Sequence, residues 1–316
     1  MTSAGPDVDT TNLGARLARL VAAAPGRLGV SVCLPDGRRV EVDAEHVVPA
    51  ASTIKVPVLV AALAACQDGR LALDTLVTLP RPDERVGGSG PIELLPSVRA
   101  LPLVEALTLM VCLSDNDATN AVIDLVGRRS VAAVLTLVPT SHTHLRRRLM
   151  DLRAAAEGVE NTTTARDLAD VLVALRGGRL LDPTHTQLAL AVMRRQQLRE
   201  GLPAYLPDWV AVASKTGSLH GVRSDMALIE PAPGRYAAVA VVATGLVGGD
   251  GAAGPSASDR GTAVLPLFAE IGELVGELVG VPVGVPVGVP GDADHRGQEG
   301  SVPLVHARHD RETRTS

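Results

Sequence analysis

The chain has 316 residues, 46% of them hydrophobic, enough to fill the core of one large domain or two modest ones. Charged residues make up 21% and the formal net charge is -5, so there is no electrostatic footprint for nucleic acid or an anionic membrane. With one Trp, one Phe and two Tyr, the core must be aliphatic and base-stacking platforms are absent, which leaves a small molecule or peptide as the expected partner.

Leu13, Leu17, Leu20 and Val21 recur at helical spacing over residues 11–24, and Pro25-Gly26 ends that helix. Two strands follow, 28–34 and 39–42, joined by a Pro35-Asp36-Gly37 turn. The stretch 52–198 reads as mostly helical, with a 3.6-residue period over 53–65, 103–113, 118–126, 165–175 and 186–193. Strand signals return at 209–214, 222–230 and 236–243, and 261–278 forms a last helix. Strand-rich ends around a helix-rich middle predict an α+β fold: one antiparallel β-sheet flanked by terminal helices, with an inserted all-α domain. The division is a short extension over 1–10, a sheet subdomain from 11–50 and 205–279, an all-α subdomain over 51–204, and a tail over 280–316. That tail holds Val-Gly-Val-Pro repeats and then polar residues, and reads as a flexible extension without chemistry.

Cys33, Cys66 and Cys112 are odd in number and widely spaced, which argues against both a disulfide framework and a zinc site. No metal and no cofactor is expected. The first residues lack a basic segment followed by an apolar one, and the best apolar run, 56–66, is about half the roughly 20 residues a membrane span needs. The expectation is a soluble, cytoplasmic monomer.

Three short motifs carry the chemistry. Ser52-Thr53-Ile54-Lys55 is an S-x-x-K at the start of a predicted helix, Ser114-Asp115-Asn116 sits at the end of another, and Lys215-Thr216-Gly217 follows a predicted strand. Each alone is weak, but their joint occurrence in this order, about 60 and 100 residues apart, is not an accident of composition. Residues three apart share a helix face, so a neutral Lys55 amine can take the proton of Ser52 and make it a nucleophile. Pro57 fits a helix that begins at the nucleophile, because the first turn tolerates a missing N–H. The Ser52 N–H at the helix start and the Ser218 N–H on the strand are candidate oxyanion donors. Ser114 can relay a proton to a leaving nitrogen, and Asn116 can grip a substrate amide. Lys215, Thr216 and Arg223, with Gly217 in the same stretch, suit a substrate carboxylate.

These motifs resemble those of the class A β-lactamase-related, penicillin-recognising serine hydrolases, over about residues 11–279. The blocks Gly87-Gly88-Ser89-Gly90, Asn161-Thr162-Thr163-Thr164 and Gly221-Val222-Arg223-Ser224-Asp225 are similar to family blocks at the same places. The resemblance implies a covalent acyl-serine intermediate on Ser52, with Lys55, Ser114 and Lys215 as its catalytic partners and no metal. One departure is large. The family carries a glutamate in an E-x-x-L-N segment that activates the deacylating water, whereas alignment here places Leu149 or Met150 at the glutamate and Arg153 at the asparagine. The usual arginine-to-aspartate anchor of that loop is also in question, because Asn161 stands where the acid belongs. Asp151, Glu157 and Glu160 are the candidate substitutes for the glutamate.

The leading expectation is hydrolysis of a β-lactam or a related carboxylate-bearing amide or ester, with fast acylation and slow or differently assisted deacylation. Two alternatives stand beside it: a D-alanyl peptidase, esterase or biosynthetic transacylase, and an acyl-trap or β-lactam sensor that never turns over. Other signals read as structural. Gly249-Asp250-Gly251-Ala252-Ala253-Gly254 is a loop, not a dinucleotide fingerprint, because Pro255 and Ser256 interrupt any helix start. His142 and His144 lack a third ligand, and Arg146-Arg147-Arg148 is a solvated face or loop anchor. His220 is either an exposed turn residue or part of the pocket.

Overall fold

A computed structural model describes residues 10–246 and 262–282. The glycine-rich run at 249–254 and the tail beyond residue 282 lie outside the described residues. In chain order the elements begin with α1 (Thr10–Ala22), β1 (Arg27–Cys33), β2 (Arg39–Val42) and β3 (Val48–Pro49). A 3-10 turn over Ala51–Ile54 leads directly into α2 (Lys55–Gln67), followed by β4 (Leu76–Thr78) and β5 (Ala100–Pro102). Then come α3 (Leu103–Cys112), α4 (Asn116–Val126), α5 (Arg128–Thr136), α6 (Leu152–Ala156), β6 (Thr162–Thr163), α7 (Ala165–Arg176) and α8 (Pro183–Arg194). The chain closes with β7 (Ala211–Leu219), β8 (Val222–Ala232), β9 (Arg235–Thr244) and α9 (Leu265–Leu278).

The fold is mixed α+β, built on one antiparallel five-stranded sheet in the order β2-β1-β9-β8-β7. Its strands come from both ends of the chain, and β1 meets β9 from Arg27↔Thr244 to Cys33↔Ala238. Strand β9 explains why the sheet needs covering on both sides. Alternate residues Ala238, Ala240 and Val242 enter one core with α2, α3, α4, α7 and α8, while Ala237, Val239 and Val241 enter another with α1 and α9. A strand apolar at every position has two faces to bury, and these two helical layers bury them. Helix α2 is buried from Lys55 through Leu63, which is what a helix apolar all round requires.

The structure moves two motifs relative to the sequence reading. Lys215-Thr216-Gly217 lies inside β7 rather than after it, and Trp209, read as the start of that strand, is 56% exposed outside it. Ser114-Asp115-Asn116 forms the connection between α3 and α4, with Asp115 capping α4 by accepting the Ala118 N–H. Helices α5 and α6 and the short strands β3 to β6 are additions, too brief to show a periodic signal. Cys33, Cys66 and Cys112 are free, the first and last buried and Cys66 partly so. Among the described residues no helix is long and apolar enough to cross a membrane.

Gly272 shows how tightly α9 is seated. A methyl group there would lie 2.8 Å from the Leu202 carbonyl carbon and closer still to its oxygen. Alanine gains about 1 kcal/mol in helix propensity over glycine, but backbone cannot retreat as a side-chain tip can, and overpacking costs about 1–3 kcal/mol or more. Gly272→Ala is therefore expected to lower stability by about 1–2 kcal/mol despite its better propensity. A urea midpoint at or above wild type would show that α9 has room to shift.

Candidate active site

The first component is the turn that carries Ser52. Residues Val48 and Pro49 pair with Thr163 and Thr162, and the Ala50 N–H continues that contact by donating to the Asn161 carbonyl at 2.8 Å. The chain then turns sharply, with Ala51 in the left-handed region at φ 48°, and Ser52 emerges partly exposed in the 3-10 turn. The Thr53 hydroxyl ties the turn down by donating to the Ala50 carbonyl at 2.6 Å. Lys55 opens α2 and points into the protein, 0% exposed. Its amine donates to Ser114 O at 2.6 Å, Ser114 Oγ at 3.0 Å and Asn116 Oδ1 at 2.9 Å. None of these bonds reaches Ser52, so the contact expected from helical spacing is not the resting arrangement.

The second component is the α3–α4 connection. Ser114 sits at φ 56°. Its hydroxyl also receives the Lys215 amine at 3.1 Å, so two lysines meet at one oxygen. Burial pushes the Lys55 amine well below its ordinary range, and the nearby Lys215 pushes it further. Burial likewise lowers Lys215 to about 7, against the pull of the Asp225 carboxylate. Burial also raises Asp225 to about 7 although it accepts the Leu202 N–H at 2.9 Å. Asn116 is committed on both sides of its amide: Oδ1 accepts from Lys55, and Nδ2 donates to Gly87 O at 2.8 Å. The Gly87-Gly88-Ser89-Gly90 loop is thereby fixed over the site, with Asp117 accepting the Val86 and Gly87 N–H groups and Asp115 accepting that of Ile92.

The third component is β7, which forms an edge of the sheet. Gly217 has a packing reason to lack a side chain. A Cβ there would clash with Ser224 Oγ of β8 and lie 3.1 Å from Ala51 Cβ and 3.3 Å from Ala50 O, so glycine lets the strand close against both β8 and the turn that carries Ser52. Thr216 and Ser218 line the cavity beside Ser52, Ser114 and Asn116, while Lys215 lies buried behind them. Arg223 does not line it. Its Nη1 donates to the Leu219 and Val222 carbonyls of its own hairpin, and His220 is an exposed turn residue outside the cavity.

The cavity, about 280 Å³, is closed on its remaining side by the segment from 147 to 161. Leu149, Met150 and Leu152 give it an apolar wall. Asn120 clamps that wall, its side chain accepting the Leu149 N–H at 2.9 Å and donating to the Leu149 carbonyl at 3.1 Å. The anchor in question from the sequence exists, displaced by one residue. Asn161 Oδ1 accepts the N–H groups of Arg146 and Arg147, and its Nδ2 donates to the Arg147 carbonyl. Glu160 pairs with the Arg147 guanidinium at 2.7 Å, and Arg147 is only 7% exposed. Asn120 and Asp117, and the pairing of Arg147 with Glu160, are not read from the sequence, because each acts through contacts remote in the chain. Among the described residues, three of the four non-glycine residues at positive φ, Ala51, Ser114 and Met150, line this one cavity. Left-handed backbone at such residues costs about 1–3 kcal/mol each and gathers where geometry serves chemistry.

A model of the β-lactamase enzyme family matches residues 12–274. Among curated protein sequences there is no match. Solved structures similar to this chain include the β-lactamase of Sphaerobacter thermophilus DSM 20745, at TM-score 0.76 and 28% identity over 89% of this chain and 100% of that one. A leucine-to-glutamate mutant of PBP-A, solved as an acyl-enzyme complex with penicillin G, is similar at TM-score 0.71 and 28% identity over 84% and 96% of the two chains. An ancestral class A β-lactamase is similar at TM-score 0.72 and 28% identity, over 84% and 99%. With a family match across most of its length and a fold to suit, the chain belongs to the β-lactamase enzyme family, as a serine hydrolase of the β-lactamase and penicillin-binding type.

Proposed function

We propose that the chain forms an acyl-enzyme at Ser52 and hydrolyses β-lactams or related amides and esters that carry a carboxylate. The observation that carries this reading is the convergence of Lys55 and Lys215 on Ser114 Oγ, at the edge of a cavity that Ser52 lines. Burial disfavours the charged form of Lys55, which suits it to accept a proton. In the reaction it exchanges one of its present hydrogen bonds for Ser52, takes the hydroxyl proton, and Ser52 Oγ attacks the substrate carbonyl carbon. The oxyanion is met by the N–H groups of Ser52, at the start of its turn, and Ser218 on β7. Ser114 then passes its proton to the leaving nitrogen as the carbon–nitrogen bond breaks, and is reprotonated from Lys55. Lys215 and Thr216 receive the substrate carboxylate, Gly217 lets them close on it, and Arg223 adds positive charge from the hairpin rim. Asn116, with one amide proton still uncommitted, orients the substrate amide.

Resolution of the acyl-enzyme is the slow half of this reading, because Leu149 or Met150 stands where the family carries its glutamate. The apolar Leu149–Met150 wall also favours a second reading, in which an amine or alcohol resolves the ester, as in a D-alanyl peptidase, esterase or transacylase. Intact-protein mass spectrometry over time with a penicillin, a cephalosporin and a D-Ala-D-Ala peptide tests both. A covalent adduct is expected on the wild type and none on Ser52→Ala; equal labelling of the two would remove Ser52 from the mechanism. Faster release on adding an amine or alcohol would favour the second reading, and an adduct that neither water nor acceptor resolves would make the protein an acyl-trap.

Leu149→Glu supplies the absent carboxylate. Its penicillin adduct is expected to decay about 100-fold faster than the wild type, the scale of a positioned general base. The same side chain is only 8% exposed, so a lower unfolding temperature is expected with it. An adduct lifetime unchanged in a folded variant would mean that the attacking water does not approach past residue 149.

A further inference from the structure

The geometry points to Glu160 as the base that activates the water resolving the acyl-serine, an assignment that rests on the acyl-enzyme reading above. Of the three carboxylates near the missing glutamate, two are committed elsewhere. Asp151 caps α6 by accepting the Ala154 N–H at 3.0 Å, and lines a neighbouring cavity with Glu84 and Arg148 rather than the one that holds Ser52. The Glu157 side chain is 61% exposed and pairs with Arg153 at 3.2 Å. Glu160 alone among them lines the Ser52 cavity.

Two features bear on its position and its free oxygen. Antiparallel pairing runs Val48↔Thr163, Pro49↔Thr162, and then Ala50 N–H to Asn161 O, so Glu160 directly neighbours the residue that holds Ala50, two positions before Ser52. The carboxylate itself is asymmetric. Oε1 accepts three donors, Arg147 Nη2 at 2.7 Å, Arg147 Nε at 3.1 Å and the Asn161 N–H at 2.8 Å, whereas Oε2 accepts no hydrogen bond among the described residues. One oxygen locked by three donors fixes the direction in which the other presents its lone pairs. Leu149, Met150 and Leu152 supply no competing acceptor on that wall.

The step balances as follows. Water attacks the carbonyl carbon of the Ser52 ester as its proton passes to Glu160 Oε2. The tetrahedral intermediate collapses, the bond from that carbon to Ser52 Oγ breaks, and the proton returns to Ser52 Oγ. The product is the free acid, and the enzyme is restored.

Glu160→Gln keeps an acceptor for Arg147 and for the Asn161 N–H but removes the base. With a fluorescent penicillin, the rise of the covalent adduct is expected to match the wild type while its decay slows about 100-fold. Glu160→Asp retains the anion against Arg147 and withdraws the free oxygen by one methylene, so an intermediate decay is expected; should the glutamine variant not fold, this one decides. Asp151→Asn and Glu157→Gln are expected to decay like the wild type. Wild-type decay in the folded Glu160 variants overturns the assignment, as does an equal slowing of rise and decay, which marks a purely structural role. Absence of any adduct on the wild type would instead sink the acyl-serine reading, and Glu160 with it.

Discussion

Two fully buried amines that share one hydroxyl constrain everything around them. A charged ammonium removed from water is strongly disfavoured unless an anion or a shell of acceptors compensates it. Among the described residues, neither Lys55 nor Lys215 makes a hydrogen bond to a carboxylate. Asp115 accepts the N–H groups of Ala118 and Ile92, while Asp225 accepts that of Leu202 through Oδ2 and its buried Oδ1 has no hydrogen-bond partner among the described residues. The lysines instead donate to neutral oxygens, chiefly those of Ser114. A direct ion pair would fix each amine in its charged form. Neutral acceptors in a buried site favour the uncharged form of both amines, with Lys215 lowered to about 7 and Lys55 well below its ordinary range, and this property suits proton transfer rather than stability.

Bringing these groups to one point requires the start of α2, the α3–α4 connection and the edge strand β7 to meet. The backbone meets this demand with left-handed residues at Ala51 and Ser114 and with a glycine at 217. Such conformations persist only where surrounding structure over-determines them. Here α2 is buried on every side, β7 is zipped to β8 over nine paired positions, and the carboxylates of Asp115 and Asp117 hold the loop above Ser114. The two cores on either face of the sheet supply the rigidity, and the strained residues lie where those cores meet the cavity.

Much of this was legible in the sequence, for identifiable reasons. The candidate nucleophile and its partners depend on residue type at short spacing, so Ser52, Lys55, Ser114, Asn116 and Lys215 could be named, and Ser114 bonds both lysines at a cavity that Ser52 and Asn116 line. Alternating and continuous apolar runs gave the sheet and its helical layers. What stayed hidden depends on register and reach. The polar Lys215-Thr216-Gly217 stretch does not look like strand, yet an edge strand facing a cavity has no reason to alternate. Asn161 seemed to break the loop anchor, because an alignment compares single positions. In space the work is divided: Asn161 binds the backbone of Arg146 and Arg147, and its neighbour Glu160 supplies the negative charge. Helices as short as α6 and pairings of two residues carry too little pattern to be read at all.

That division of labour bears on the chemistry. Were residue 161 itself the acid, one carboxylate would have to hold both the loop backbone and the arginine, leaving its oxygens fully engaged. Giving the backbone to an amide frees a neighbouring carboxylate to use only one oxygen on Arg147 and the Asn161 N–H. At the same time Asn120 grips both polar groups of the Leu149 backbone and holds an apolar wall where a charged side chain would be costly to bury. The cavity is therefore apolar on the Leu149 side and polar on the Glu160 side. On the proposed mechanism, water approaching an ester on Ser52 meets an apolar wall on the first side and the Glu160 carboxylate on the second, so the loop anchor itself would set the direction of attack.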